Sequence, residues 1–212
     1  EKSDKKTKQG AESLFNAAKS WGIFSKNATQ IKDLFKGGKV SVIDTSAYKE
    51  WNVKNLVVGL VCKKLMQERM VARKREEMED VERGHSYFEI SSEKTGKEMP
   101  IVWILLDEAH SMLPKEGKTP ATDSLVTILR EGRQPGISLI LATQQPGEIH
   151  KDVITQTDVV ISLRVTAKKD IEALNEVMQT YLSGDLLKYF NMLPKMRGAA
   201  LILDDNSEKI YP

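Results

Sequence analysis

One apolar run that ends in two adjacent acids constrains the fold more than any other feature. Residues 101–106 are all apolar, and Asp107 and Glu108 follow them directly. An apolar run of this length with β-branched residues predicts a strand buried on both faces, as in a parallel sheet. Acids at the C-terminal end of such a strand lie where open α/β sheets bind ligands. The alternative is a buried strand that ends in two solvated acids.

The two acids suit different roles in one reaction. Asp107 would hold Mg²⁺, directly or through water, because carboxylate oxygen is a preferred ligand of this ion. Glu108 would polarise an attacking water molecule. Two adjacent acids with these separate roles, placed after a buried strand, form the Walker B pattern of nucleotide-hydrolysing motors.

Composition indicates a soluble globular protein and excludes several classes. Of the 212 residues, 40% are hydrophobic and 29% charged, which is typical of a single domain with a sizeable core. No apolar run approaches the roughly 18 residues that a membrane span needs, and no signal peptide is visible. Cys62 is the one cysteine, so no internal disulfide forms, and a cytoplasmic location is expected. The net charge of +2 limits any nucleic-acid surface to a local patch.

Strands and helices alternate after the acidic pair. Apolar periodicity predicts further strands at 136–142, 158–164 and 198–203, with 209–211 able to pair with the last. The predicted helices are 119–130, 146–154, 168–180 and 185–190. This order predicts an α/β fold with a mostly parallel sheet flanked by helices.

The first hundred residues are predicted to be mainly helical. After a solvated tail at 1–10, the pattern predicts helices at 11–19 and 29–36, a strand at 39–44, a long helix at 48–83 and a polar loop at 84–98. The long helix changes from apolar to charged, which indicates that its second half leaves the core. The pattern thus separates an N-terminal tail and helical segment, 1–36, from the rest of the chain, 37–212, in which 48–99 form a long helix and a loop.

Polar side chains also follow the second predicted strand. Thr143 and Gln144 come directly after the apolar run 136–142. A polar residue beside the Walker B strand is placed to contact the γ-phosphate or the attacking water. Gln144 is the first candidate for this sensor role and Thr143 the second. The alternative is a strand-to-turn junction whose polar side chains bond the nearby backbone.

Two arginines and a histidine complete the set of candidate site residues. Arg130 and Arg133 lie between the two strands, where an arginine can point into the active site of a neighbouring subunit and stabilise charge on a phosphoryl group. Their alternative role is to place cations at a helix C-terminus. His110 either senses the nucleotide or packs locally.

Several motifs, taken in order, resemble the HerA/FtsK superfamily, and within it the HerA branch of DNA translocases. They are Leu105–His110, Arg130–Arg133, Leu139–Pro146, Ile161–Val165 with Asp170, and Leu182–Leu187 leading to Gly198–Leu201. The resemblance runs from about residue 37 to residue 212, and its motifs are specific in combination.

The resemblance implies a RecA-like P-loop core that hydrolyses ATP with Mg²⁺ as a homo-hexameric ring around double-stranded DNA. By motif position, Asp107 would be the Mg²⁺ ligand, Glu108 the catalytic base, and Gln144 the sensor, with Thr143 beside the nucleotide. Arg133 would act as the arginine finger in trans, with Arg130 as the alternate. The resemblance also implies a partner, a NurA-like nuclease, with which the chain would act in DNA end processing and repair.

One expected motif is missing. No Gly-x-x-x-x-Gly-Lys-Ser/Thr occurs in the sequence, so the Walker A backbone cradle and lysine for the phosphates are absent. We therefore expect the chain to be the C-terminal part of a longer ATPase, inactive alone. Two alternatives remain: a conjugation- or secretion-type ATPase of the same superfamily, and a non-catalytic assembly module.

Overall fold

The computed structural model describes residues 5–85, 99–179 and 186–211. The chain divides into two compact units, residues 1–101 and residues 102–212. The parts of the predicted tail, of the loop at 84–98 and of the motif at 182–187 that fall at 1–4, 86–98 and 180–185 lie outside the described residues. The sequence-based division at residue 36 stays a prediction.

The first unit is helical in its described part. Its helices are α1 (Lys5–Ser20), α2 (Ile31–Leu34) and α3 (Trp51–His85). The tail prediction is wrong for residues 5–10, which are helical, because this lysine-rich stretch contains good helix formers. As predicted, α2 ends before Gly37 and Gly38, and Gly38 adopts a φ of 69° that favours glycine.

The strand predicted at 39–44 does not form. Val40 and Val42 are 93% and 86% exposed, and these residues have no regular structure. A strand needs a neighbour for its backbone N–H and C=O groups. The part of the first unit that the structure describes contains no strand with which this segment could pair.

Helix α3 changes character along its length, as its sequence predicts. Its first half buries apolar side chains such as Val53 and Leu65, and burial raises the pKa of the Cys62 thiol to about 12. Residues 77–81 are all exposed. One charged residue is an exception: Arg69 is buried, pairs with Glu76 at 3.1 Å, and donates to the carbonyl oxygen of Met99.

The second unit alternates strands and helices, and the α/β class is confirmed. Its strands are β1 (Val102–Leu106), β2 (Ile137–Leu141), β3 (Val159–Leu163), β4 (Ala200–Asp204) and β5 (Lys209–Tyr211). Its helices are α4 (Thr122–Glu131), α5 (Lys151–Thr155), α6 (Lys168–Gln179) and α7 (Leu186–Met192). Each lies within a few residues of its predicted position.

The five strands form two sheets. Strands β1 and β2 are parallel, in a register that pairs Val102 with Ile137 and Leu106 with Leu141. Strands β3, β4 and β5 form an antiparallel sheet, so the expected parallel arrangement is found in β1 and β2 alone among the described strands. Leu201 and Leu203 of β4 share a buried cluster with Leu186, Phe190, Leu193 and Leu174.

The prediction that the first strand is buried on both faces is wrong. Val102 is buried, whereas Trp103 and Leu105 are 63% and 69% exposed. Helix α4 packs against β2, but the alternate side chains of β1 remain open in the described part of the chain. In the antiparallel sheet, Ile161 and Leu163 are likewise exposed. Among the described helices, none combines the length and the apolar composition that a membrane span requires.

The contact between α4 and β2 depends on Gly132. A Cβ atom added there would lie 2.5 Å from the carbonyl oxygen of Ile128 and 2.8 Å from that of Ile137. Because both are backbone atoms, we expect Gly132→Ala to lower the free energy of unfolding by about 1–3 kcal/mol, the usual range for overpacking. Urea denaturation measures this change.

Gly10→Ala is the matched control for this prediction. Gly10 lies in the exposed helix α1 with no heavy atom within 4 Å of an added Cβ. Alanine there should stabilise the helix by up to about 1 kcal/mol. If Gly132→Ala unfolded at the same urea concentration as the wild type, the predicted clash between the added Cβ and the two carbonyl oxygens would be refuted.

Candidate active site

The carboxyl ends of β1 and β2 meet at one edge of their parallel sheet. Beyond the strands, the N–H of Ala142 donates to the carbonyl oxygen of Leu106 at 2.8 Å, and the N–H of Ala109 donates to the carbonyl oxygen of Ala142 at 2.9 Å. These bonds extend the pairing past the strand ends. They bring the acidic pair alongside the polar residues that follow β2, as the sequence predicts.

Glu108 sits in a strained turn. Its backbone is left-handed, with φ 50° and ψ 45°, a conformation that costs a non-glycine residue roughly 1–2 kcal/mol. Its N–H donates to the Asp107 carboxylate at 2.9 Å. The N–H and the hydroxyl of Ser111 both donate to its carbonyl oxygen. Strain that the surroundings impose in this way is concentrated at functional sites.

The Glu108 carboxylate is oriented by Gln144. The Gln144 amide nitrogen donates to Oε1 of Glu108 at 2.7 Å, across 36 residues of sequence. Because a carboxylate only accepts hydrogen bonds, the NH₂ group of the amide must face it. The Glu108 side chain remains 40% exposed, so water reaches the oriented carboxylate.

His110 connects the two strand ends. Its Nδ1 atom lies 3.0 Å from the Thr143 hydroxyl oxygen and 3.5 Å from Oε2 of Glu108. The Thr143 hydroxyl also accepts the N–H of Gln145 at 3.0 Å. The sequence singles out His110 without indicating this contact, because the spacing of 33 residues between the partners carries no pattern. Its position two residues after Glu108 was the available clue.

Asp107 fits the role of a single Mg²⁺ ligand. Its side chain is exposed at the carboxyl edge, and one carboxylate oxygen accepts the Glu108 N–H. Mg²⁺ commonly takes one or two protein carboxylates, with water and phosphate oxygens completing its shell. Among the described residues, no group of three His, Cys, Asp or Glu side chains is placed to hold a metal ion. A carboxylate in the position of Asp107 could supply one protein ligand to such an ion.

The two candidate arginines lie away from these acids. Arg130 pairs with the buried carboxylate of Asp152 at 2.7 Å, which joins α4 to α5. Arg133 is exposed in the turn before β2, whereas Thr143 follows the carboxyl end of that strand. Five strand residues span roughly 16 Å at about 3.3 Å each. Within one chain, therefore, the structure does not bring either arginine to Glu108.

The turn after Gln144 is anchored to α6. Oδ1 of Asp170 accepts the N–H of Gly147 at 3.0 Å, and Lys169 pairs with Glu148. An added Cβ at Gly147 would lie 3.0 Å from the Lys169 side chain, so glycine permits the close approach. These contacts fix the turn that carries the candidate sensor.

Comparison with known proteins gives the family. The family described as "Helicase HerA-like C-terminal" matches residues 85–207, which is more than half of the chain. The chain belongs to this HerA-like family. All the residues of the candidate site described above lie within the matched region.

Curated relatives in the family are named DNA double-strand break repair helicase HerA. The one from Pyrococcus furiosus is 30% identical over 160 residues, covering 72% of this chain and 28% of its own. The one from Sulfurisphaera tokodaii is 26% identical over 171 residues, covering 81% of this chain and 30% of its own. The HerA-like chain thus spans less than a third of the length of these relatives.

Solved structures confirm the fold class. The DNA-packaging ATPase B204 of Sulfolobus turreted icosahedral virus superposes with a TM-score of 0.52 at 19% identity, covering 90% of this chain and 73% of that one. The B204 packaging NTPase of Sulfolobus turreted icosahedral virus 2, in complex with AMPPCP, gives a TM-score of 0.51 at 22% identity, with coverages of 89% and 72%. The HerA-like chain therefore shares the architecture of P-loop NTPases.

Proposed function

We propose that this chain forms the Walker B-bearing part of an ATP-driven motor that moves along double-stranded DNA. One observation carries the proposal: Gln144 holds the Glu108 carboxylate at 2.7 Å, beside Asp107, at the carboxyl edge of a parallel strand pair. The double-strand break repair helicases among the relatives support a role on DNA ends.

Each polar residue at this edge has a distinct role in the proposed reaction. Asp107 would hold the Mg²⁺ of a bound Mg·ATP complex, and this complex would supply the transferable phosphoryl group. Glu108 orients a water molecule and accepts its proton. Gln144 keeps the carboxylate facing this water, and the Thr143 hydroxyl contacts the phosphate side of the nucleotide.

The phosphate cradle must come from other residues. The 212 residues contain no Walker A sequence, and the family relatives are more than three times as long as the segment that matches. We place the cradle in a further segment of the same polypeptide. Alone, residues 1–212 are then expected to lack ATP turnover.

The charge-stabilising arginine comes from a neighbouring subunit. Arg133 is exposed and lies at the opposite end of β2 from Thr143, so it cannot serve the site of its own chain. Arg130 is held by Asp152, which leaves Arg133 as the finger. A homo-hexameric ring supplies such an arginine at every interface. A NurA-like nuclease as the partner remains an expectation from the family resemblance.

The test is ATP turnover by the polypeptide that carries both the phosphate loop and these residues. Turnover is measured without DNA, with linear double-stranded DNA, and with single-stranded DNA of equal nucleotide content. We expect stimulation by the duplex above that by the single strand. Stimulation by the single strand alone would favour a conjugation-type motor, and no turnover under any condition would favour the assembly module; either result overturns the proposal.

A further inference from the structure

We propose that His110 is a positioning residue that makes Thr143 a hydrogen-bond donor and keeps Glu108 an acceptor. This inference deepens the proposed function and rests on it. It assigns the hydrogen of the imidazole ring to Nδ1. Three side chains meet at the carboxyl edge of β1 and β2: His110, Thr143 and Glu108.

The ring nitrogen Nδ1 of His110 faces two oxygen atoms. Nδ1 of His110 lies 3.5 Å from Oε2 of Glu108 and 3.0 Å from Oγ1 of Thr143. A carboxylate offers only lone pairs. If Nδ1 carried a lone pair as well, the two would repel, so the ring hydrogen belongs on Nδ1. The ring thus donates to Thr143 and presents positive potential to Glu108.

The Thr143 hydroxyl accepts hydrogen bonds from two partners. A threonine hydroxyl has one hydrogen to donate and two lone pairs to accept with. The Gln145 N–H occupies one lone pair of Thr143 at 3.0 Å, and the Nδ1–H of His110 occupies the other. Neither of these partners can accept in return. The Thr143 hydrogen therefore points away from both.

The direction of the Thr143 hydrogen suits a phosphate ligand. A hydroxyl whose lone pairs are both used is a fixed donor, and the oxygens of a phosphate group that face it only accept. Glu108 keeps the opposite character, since it accepts from Gln144 and offers its remaining lone pairs to water. The His110 ring thereby leaves the Thr143 hydroxyl as a donor that faces the phosphate and the Glu108 carboxylate as an acceptor that faces water. The left-handed turn at Glu108 places the ring, because His110 lies in the single 3-10 turn, Ala109–Ser111, that follows it.

The ring hydrogen is tested directly by nitrogen-15 NMR of the labelled chain 1–212. The spectrum of His110→Asn identifies the His110 signals among those of the three histidines. We expect the neutral ring to carry its hydrogen on Nδ1. A neutral ring with its hydrogen on Nε2 would overturn the proposal, whatever the activity of the longer polypeptide.

The functional role is tested in the polypeptide that carries the phosphate loop. The amide nitrogen of asparagine at residue 110 falls near Nδ1, whereas that of glutamine falls near Nε2. We expect His110→Ala and His110→Gln to lower kcat about ten- to hundredfold, as loss of an orienting partner typically does. His110→Asn should keep most of the activity.

Coupling to Thr143 separates positioning from a general structural role. If the two residues act together, His110→Ala should add little to the loss caused by Thr143→Val. Equal damage from Asn and Ala at residue 110, or effects that multiply, would overturn the proposal. A wild-type polypeptide without any turnover would instead refute the proposed function and leave the NMR result standing.

Discussion

Glu108→Gln is expected to reduce ATP turnover by roughly 10²–10⁴-fold, the usual contribution of a general base. Glutamine has nearly the same shape and can still accept a hydrogen bond from Gln144 through its amide oxygen. It cannot accept the proton of an attacking water. Binding of Mg·ATP should therefore persist while hydrolysis is lost. Steady-state turnover and equilibrium binding of a fluorescent ATP analogue measure the two effects.

Glu116→Gln is the matched control for Glu108→Gln. Glu116 is an exposed acid on the same loop after β1, so the substitution makes the same chemical change at a residue without a proposed role in the site. Its turnover should equal that of the wild type. Unchanged turnover in Glu108→Gln would show that the catalytic assignment is wrong.

Arg133→Ala is expected to lower turnover by about 10³–10⁵-fold, as loss of an arginine finger does in well-studied GTPases. Arg133 lies at the amino end of β2, away from the acids of its own chain, so its effect should pass between subunits. Mixing Arg133→Ala with Glu108→Gln protein should then restore part of the turnover. At some interfaces of the mixed assembly, the intact Arg133 of one variant would face the intact Glu108 of the other variant.

Arg130→Ala separates the two arginines. Removing Arg130 leaves the buried carboxylate of Asp152 without its ion pair, which costs about 1–3 kcal/mol for a buried acceptor left unpaired. The variant should therefore unfold at lower urea concentration, with turnover per folded molecule preserved. If the mixture of Arg133→Ala and Glu108→Gln stayed inactive despite subunit exchange, the trans assignment would fall.

The sequence predicted the part of the molecule that depends on local pattern. Apolar runs placed β1 and β2, and Gln144 was predicted to follow a strand that lies beside the strand of Asp107 and Glu108. The contact between Gln144 and Glu108 at 2.7 Å is consistent with these neighbouring strands. The α/β class was predicted from the alternation of strands and helices, because this alternation also follows from local apolar patterns.

Features that depend on partners distant in the sequence could not be predicted. Residues 39–44 alternate like a strand but find no neighbour in the described chain, and Leu105 belongs to an apolar run yet is exposed. Periodicity reports which side chains avoid water, not whether a second layer is present to cover them. The bond between His110 and Thr143 likewise follows from the register of β1 and β2.

The left-handed backbone at Glu108 has an evolutionary consequence. Glycine would adopt this φ without strain, so a substitution to glycine would relax the turn while it removes the carboxylate. Selection for thermal robustness alone would therefore erode the site, and selection for turnover alone keeps the strained residue. Laboratory evolution toward heat resistance, without a demand for hydrolysis, should find residue 108 among its early targets.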